Sequence, residues 1–437
     1  MFFSDRLQGV SVTTGLPSEF GPSKNLLWKA SLPPGHSSPV IAGTRIFVTG
    51  SEDEKLITLA LDPATGRTLW RREIARARAS PIYKPNLPAT PSPATDGKNV
   101  YVFFPDLGLV SFDANGRERW RLPLGPFDTF YGLGASPILA GDTLLLSCDT
   151  RTKAFLLAVD AASGRIRWRV ERKEVLFDGY ASPVVWQTQV LILGSGRVDA
   201  YAVSTGEHLW WVRGLASLPV GSPAFGPGLA YFTTWGSDTP SGPAWEEWIK
   251  KDADSDGRLS KDEAKFDEFG AIDRNSDGFL DREEWDGLRR LSAGDYGMVA
   301  VRLTPESRGD VTATAIAWRN KKNYDSMTTP LVYQDVLYVV KGGGIIASLN
   351  PQTGEPFKVD RTKDAMETYY SSPVAADGKV FLVSESGKVT VLKAGRQWEI
   401  LAVNDLGEPC FATPALARGR IFIRTQRTLY SFGEPRR

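Results

Sequence analysis

Leu59-Ala-Leu-Asp-Pro-Ala-Thr-Gly-Arg-Thr-Leu-Trp70 is one of three versions of a single phrase, the others being Leu157-Ala-Val-Asp-Ala-Ala-Ser-Gly-Arg-Ile-Arg-Trp168 and Tyr201-Ala-Val-Ser-Thr-Gly-Glu-His-Leu-Trp210. In each, an apolar run meets a polar turn containing glycine, and a second run closes on tryptophan. This reads as two antiparallel strands, with the glycine supplying the positive φ of the turn. Working outward, a small hydroxyl residue followed by proline recurs at Ser38-Pro39, Ser92-Pro93, Ser136-Pro137, Ser182-Pro183, Ser222-Pro223, Thr329-Pro330, Ser372-Pro373 and Thr413-Pro414. Successive hydroxyl positions are 54, 44, 46, 40, 107, 43 and 41 residues apart. A four-stranded unit of a little over 40 residues is the period of a propeller blade.

After each proline comes an apolar run, a turn and a second run, as in Pro39–Val48 and Pro373–Val383; the Gly-Thr and Asp-Gly pairs mark tight hairpins. Trp70, Trp120, Trp168, Trp210, Trp318 and Trp398 fall at or near the end of their units, and Phe357 takes that place in the sixth. Rings at a fixed point of every unit are predicted to fill the wedge between neighbouring sheets. The eighth unit has strands through Arg420–Arg424 and Thr428–Phe432 but no fourth; Asn25–Leu32 carries the missing pattern. The expectation is an all-β, eight-bladed β-propeller closed by its N-terminal strand, which removes open sheet edges. The phrase Ala-x-Asp-x-x-Thr-Gly-x-x-x-Trp together with Ser-Pro resembles the repeat of the pyrroloquinoline-quinone-like propellers, shared by quinoprotein alcohol dehydrogenases and BamB-like outer-membrane assembly lipoproteins. That resemblance implies the fold; it leaves activity open, because the family holds enzymes and scaffolds.

The 107-residue interval holds about 60 residues more than a blade needs. The chain divides into an N-terminal extension, 1–24; propeller, 25–237; an insertion in the fifth blade, 238–295; and propeller again, 296–437. Within the insertion, Asp252–Glu263 and Asp273–Glu284 both match the twelve-residue calcium loop of an EF-hand. Calcium takes six to eight hard oxygens, supplied from loop positions 1, 3, 5, 7, 9 and 12. The first loop offers Asp252, Asp254, Asp256, the Arg258 carbonyl, Ser260 and Glu263; the second offers Asp273, Asn275, Asp277, the Phe279 carbonyl, Asp281 and Glu284. Gly257 and Gly278 sit at the sharp turn, and Leu259 and Leu280 at the position where paired loops bridge. Trp245, Trp248 and Ile249 form one apolar stripe, Phe266, Phe269 and Ile272 another. Only Ala264 to Ile272 separate the loops, so two flanking helices are expected to share about two turns, with two calcium ions holding the insertion together rather than opening a groove.

A net charge of +1 gives no drive toward nucleic acid or an anionic membrane. The segment Trp245–Arg290 carries 15 acidic and 9 basic residues, so the insertion is the acidic pole. Cys148 and Cys410 fall in different blades and imply no disulfide framework. No apolar run reaches membrane-helix length. Calcium outside the cytoplasm and the habits of the family favour a periplasmic or secreted monomer, its signal peptide lying outside this chain.

With only His36 and His208, neither a Ser-His-Asp set nor a multi-histidine metal site can form, and His208 is expected at the surface. The quinoproteins that the repeat resembles hold calcium beside the quinone with propeller Glu and Asn, use an Asp base and often stack the cofactor on adjacent cysteines. This chain has no adjacent cysteines, which argues against the quinone. The approaches to the Ser-Pro steps hold His36, Asp128, Tyr131, Asp178, Tyr180, Tyr324, Asp325, Glu367, Tyr370 and Glu408, with Phe130, Tyr369 and Phe411 beside them. These are expected to converge on one channel mouth, as a site for a peptide, sugar or small polar ligand or as a plug. The functional expectation is a non-catalytic calcium-binding scaffold for a protein or peptide partner of the cell envelope. The alternatives are a quinone-dependent dehydrogenase and a carbohydrate-binding or carbohydrate-cleaving propeller.

Overall fold

The computed structural model describes residues 9–434 except 77, 81, 151, 152, 174, 176, 217–219, 237, 238, 267, 268, 276 and 322–325. Eight sheets, each built on four antiparallel strands, surround a central channel; the fourth carries a fifth strand in addition, and the eighth takes one strand from the N-terminal end. In blade 1 the strands run from innermost to outermost as Val40–Ala42, Arg45–Glu52, Lys55–Leu61 and Thr68–Ala75. The second and third lie between neighbouring sheets and are apolar almost throughout, whereas the outermost buries Trp70 and exposes most of the rest. That contrast is what burial on two faces dictates against burial on one. Blade 8 is completed as expected: Leu26–Ser31 pairs antiparallel with Thr428–Phe432, giving a sheet with strands from both ends of the chain.

The hydroxyl-proline step explains how the ring closes. The backbone N–H of each Ser or Thr donates to the side-chain oxygen of its counterpart in the next blade. Ser38 donates to Ser92, Ser92 to Ser136, and so on through Ser182, Ser222, Thr329, Ser372 and Thr413, which donates back to Ser38. The eight bonds measure 2.8–3.1 Å. They form a closed belt around the channel and satisfy backbone donors that the innermost strands leave free.

The tryptophans make a second belt outside it. The indole N–H of Trp28, Trp70, Trp120, Trp168 and Trp318 donates to a carbonyl in the last turn of the following blade, at 2.9–3.1 Å. A Cβ on Gly116, Gly164 or Gly206 would come within 2.6–2.7 Å of the preceding blade's indole. The turn glycine therefore answers two demands, a positive φ and room for a ring. Where the turn changes, the bond changes: Trp210 donates to Gln189 of its own blade, and Trp398, facing the blade closed by the termini, has no partner for its Nε1 among the described residues.

Two features add to the expected plan. Blade 5 links its last two strands by a long excursion in which Gly309–Asp310 pairs parallel with the outer strand of blade 4. The segment before Asn25 is not a free extension. Gly9 and Ser11 bond Ala375 of the innermost strand of blade 7, Leu16 N–H meets Asp377, and Phe20 N–H meets Asn404. Leu16 and Phe20 are buried between blades 7 and 8.

The insertion connects Leu229–Thr234 to Gly297–Arg302. It contains Trp245–Trp248, a short 3-10 turn, two one-turn helices at Lys261–Ala264 and Phe269–Ile272, and the longer helix Arg282–Ser292. The expected two-turn helix between the loops is interrupted, because Lys265 takes a left-handed conformation, φ 45°, and ends the first turn.

Candidate functional site

Each innermost strand starts at its hydroxyl-proline step and runs away from it, and the second strand returns. The approaches to the steps and the insertion therefore share one face of the ring. On that face opens a cavity of about 580 Å³, the size of a small-molecule or peptide pocket. The belt residues Ser92, Ser136, Ser182, Ser222, Thr329, Ser372 and Thr413 line it, and Gly9 of the N-terminal segment reaches it.

Its walls are aromatic. On one side Tyr83 stands 5.3 Å from Tyr131 and 6.0 Å from Phe130, and Tyr131 meets Tyr180 edge to face at 5.7 Å. On the other, His36 stacks on Phe411 at 4.2 Å, and Tyr370 leans on Phe411 at 5.3 Å. Of the expected mouth residues, His36, Tyr131, Tyr180, Tyr370 and Phe411 line the cavity. The described carboxylates do not. Asp178 is buried and accepts from Phe130 N–H and the Tyr180 hydroxyl. Glu367 accepts from Ser386 N–H, and Glu408 is held by Thr425, Thr428 and Tyr430. Asp128 is not in the lining, Tyr369 turns into the core to bond Ala365, and Tyr324 and Asp325 lie outside the described residues. Tyr83, Lys84 and Trp235 line the cavity without having been legible as part of the set.

The electrostatics follow from burial. Loss of water, with the positive charge of Arg424 second, pulls the His36 imidazole down to about 4, so it is neutral at pH 7. Burial and the Asp178 charge push the Tyr180 hydroxyl up. Arg424 is fully buried and donates to the carbonyls of Ser37 and Pro33 and to the Ser37 hydroxyl, and burial brings it down to about 9. His208 lies at an exposed sheet edge, as expected, but its ring is stacked between Tyr201 and Trp211 and reaches Asp199 at 2.9 Å.

The insertion offers a second constellation. Leu259 pairs with Leu280, and Ser260 with Phe279, in a two-stranded antiparallel contact that sets the loops side by side. Gly257 and Gly278 have φ of 84° and 87°, and their N–H groups hold the Asp252 and Asp273 carboxylates. Carboxylate oxygens of Asp252, Asp254 and Asp256 lie within 4.8 Å of one another. Glu263 folds back across its loop to Ala253 N–H while capping Ser260, and Glu284 does the same with Arg274 and Asp281. The backbone N–H of Asp256 favours ionised Asp254, but burial and neighbouring acids prevail and raise it. Burial raises Glu284 against its backbone donors. This oxygen-rich donor set fits a hard divalent cation. Beneath it Trp245, Trp248, Ile272 and Trp285 form a small core, against which Phe177 of the blade 3–4 loop packs.

Ring closure by shared termini, a hydroxyl belt and an axial pocket define a repeat propeller. Among solved structures, BamB from Moraxella catarrhalis superimposes with a TM-score of 0.60 at 14% identity, covering 94% of this chain and 97% of that one. The quinohemoprotein alcohol dehydrogenase from Comamonas testosteroni gives 0.58 at 12%, covering 98% and 79%. At these identities the likeness is one of fold. The family model described as outer membrane protein assembly factor BamB matches residues 21–147 and 252–435, so the chain belongs to that family. A curated relative, the outer membrane protein assembly factor BamB of Burkholderia pseudomallei (strain K96243), is 28% identical over 228 residues. The match spans 50% of this chain and 55% of that relative, about half the length of each.

Proposed function

We propose that this chain is an extracytoplasmic scaffold, periplasmic rather than secreted, that holds a protein or peptide partner of the cell envelope without itself performing catalysis. Membership of the BamB family carries the reading; the relative's name places that protein in outer-membrane protein assembly. The mouth lends support, since its described lining combines aromatic rings with no carboxylate, whereas sugar cleavage needs two acids and quinone chemistry needs a base. Asp252, Asp254, Asp256, Ser260 and Glu263, with the Arg258 carbonyl, would hold one calcium ion. Asp273, Asn275, Asp277, Asp281 and Glu284, with the Phe279 carbonyl, would hold another. Bound in these EF-hand loops, the ions would neutralise the loop acids and cross-link a segment whose own core is small.

The test is crosslinking of the chain in cell envelopes, with and without chelator, followed by identification of captured proteins. Recovery of outer-membrane assembly components is the expected result. A parallel assay mixes the chain with pyrroloquinoline quinone, calcium and alcohols or sugars. Dye reduction there, with no envelope partner recovered, would replace the scaffold reading by the dehydrogenase; release of reducing sugar from glycans would replace it by the carbohydrate reading.

A further inference from the structure

The aromatic cavity carries a charge pattern that says what fits it. Lys84 is the one formally charged side chain in its described lining. Behind the wall formed by His36 and Phe411, Arg424 is fully buried, yet its bonds go only to neutral oxygens of Pro33 and Ser37, and among the described residues no carboxylate pairs with it. A buried cation without a counter-ion is costly, and the attraction it exerts through a low-dielectric wall is correspondingly strong. Burial first, and the Arg424 charge second, hold the His36 imidazole well below its ordinary value. On the opposite wall the Asp178 carboxylate accepts from the Phe130 N–H and the Tyr180 hydroxyl, and its negative charge turns a ligand's acid toward the Arg424 side. His36 itself is 93% buried, from an exposure of 7%, and its Nε2 has no hydrogen-bond partner; Trp235, at the root of the insertion, likewise has an unpartnered Nε1.

Resting on the scaffold reading, we infer that the mouth cavity binds an extended peptide segment of the partner in which an aromatic side chain lies next to a carboxylate. The aromatic ring enters between the Tyr131 and Phe411 walls. The carboxylate faces Lys84 and the wall backed by Arg424. Offset and edge-to-face contacts favour rings over aliphatic side chains here, and charge complementarity selects the acid.

Calorimetric titration of the intact chain with three capped peptides tests this: Gly-Phe-Asp-Phe-Gly, Gly-Phe-Asn-Phe-Gly and Gly-Ala-Asp-Ala-Gly. The first should bind at one site, the second about tenfold more weakly for want of the charge-assisted contact, and the third not measurably. Lys84→Glu should weaken the first peptide by a similar factor while leaving the second unchanged, and Phe411→Ala should weaken both. Equal affinity for the Asp and Asn peptides, or binding indifferent to Phe411→Ala and Tyr131→Ala in variants that melt like the parent, overturns the proposal. If crosslinking still recovers envelope partners under those outcomes, the scaffold reading stands and the cavity is not where it acts.

Discussion

The ring and the insertion solve the same problem, holding together segments far apart in sequence, by different means. The ring repeats two contacts, a hydroxyl accepting an N–H at the axis and an indole lying on a glycine turn outside it, and each copy needs only its neighbour. The insertion has no repeat to lean on. It gathers three tryptophans beneath two paired loops, the first of which draws Asp252, Asp254 and Asp256 together, so its integrity depends on a compact core and on whatever neutralises those acids. Distributed contacts tolerate local loss; a concentrated core fails as a unit.

Paired tryptophan variants probe this difference with the largest expected effect. Trp318 in the ring and Trp285 in the insertion are both buried and both donate to a backbone carbonyl, of Pro351 and Pro243. Replacement by alanine should cost about 3–5 kcal/mol at either place. The consequences should separate: Trp318→Ala lowers the main thermal transition, while Trp285→Ala removes hydrogen-exchange protection across Trp245–Ser292 and leaves the propeller transition near its original temperature. Equal shifts of the main transition in both variants would show that ring and insertion unfold as one.

The next effect belongs to the ring seam at blades 8 and 1. An unfolded imidazole takes up its proton near pH 6.5, and His36 in the fold only near 4. Between those values the unfolded chain binds more protons, so stability falls as pH drops through this window and levels off below it. The loss amounts to about 3 kcal/mol at about 1.4 kcal/mol per pH unit. Urea titrations from pH 7 to 4 on the parent and on His36→Phe, which keeps the stack on Phe411, isolate that contribution. Parallel curves would mean that His36 is solvated rather than buried neutral.

For the insertion, calcium at about one hundred times its dissociation constant should add about 2.7 kcal/mol to the stability of the segment it binds. Chelation should therefore lower protection in Trp245–Ser292 and spare the ring. Asp273→Ala combined with Asp252→Ala should abolish the response. A response that persists in the double variant would move the cation elsewhere.

The sequence carried the ring because blade chemistry is local and recurs: apolar runs, a glycine turn, a ring-bearing position and a hydroxyl-proline step can be counted without knowing what any of them touches. The mouth was half legible. Spacing located the approaches to the steps, and five of the expected side chains line the cavity, but spacing fixes where a residue sits in a loop, not which way its χ1 turns. So Asp178, Glu367 and Glu408 satisfy their own loops, and Tyr369 faces inward where Tyr370 faces out. Tyr83 lay out of register, in the interval of 54 residues, and that excess length was the available signal. Trp235 follows a second strand, where the repeat places nothing aromatic, and no periodicity points to it.

The smallest expected effect sharpens the account of the ring itself. Ser182→Ala removes the oxygen that accepts Ser136 N–H at 2.9 Å, leaving a donor in the wall of the channel without its partner, while Ser182's own N–H keeps its bond to Ser222. The cost should be about 1–2 kcal/mol. Ser182→Thr should be close to neutral, because Thr329 and Thr413 play the same part in blades 6 and 8. If the belt acts as eight independent links, Ser182→Ala and Thr413→Ala, on opposite sides of the ring, should add to within about 0.5 kcal/mol in chemical denaturation. A double variant that loses clearly more than the sum would show that the belt is cooperative, with one opened link loosening the others around the channel, and the ring would then resemble the insertion more than the repeat suggests.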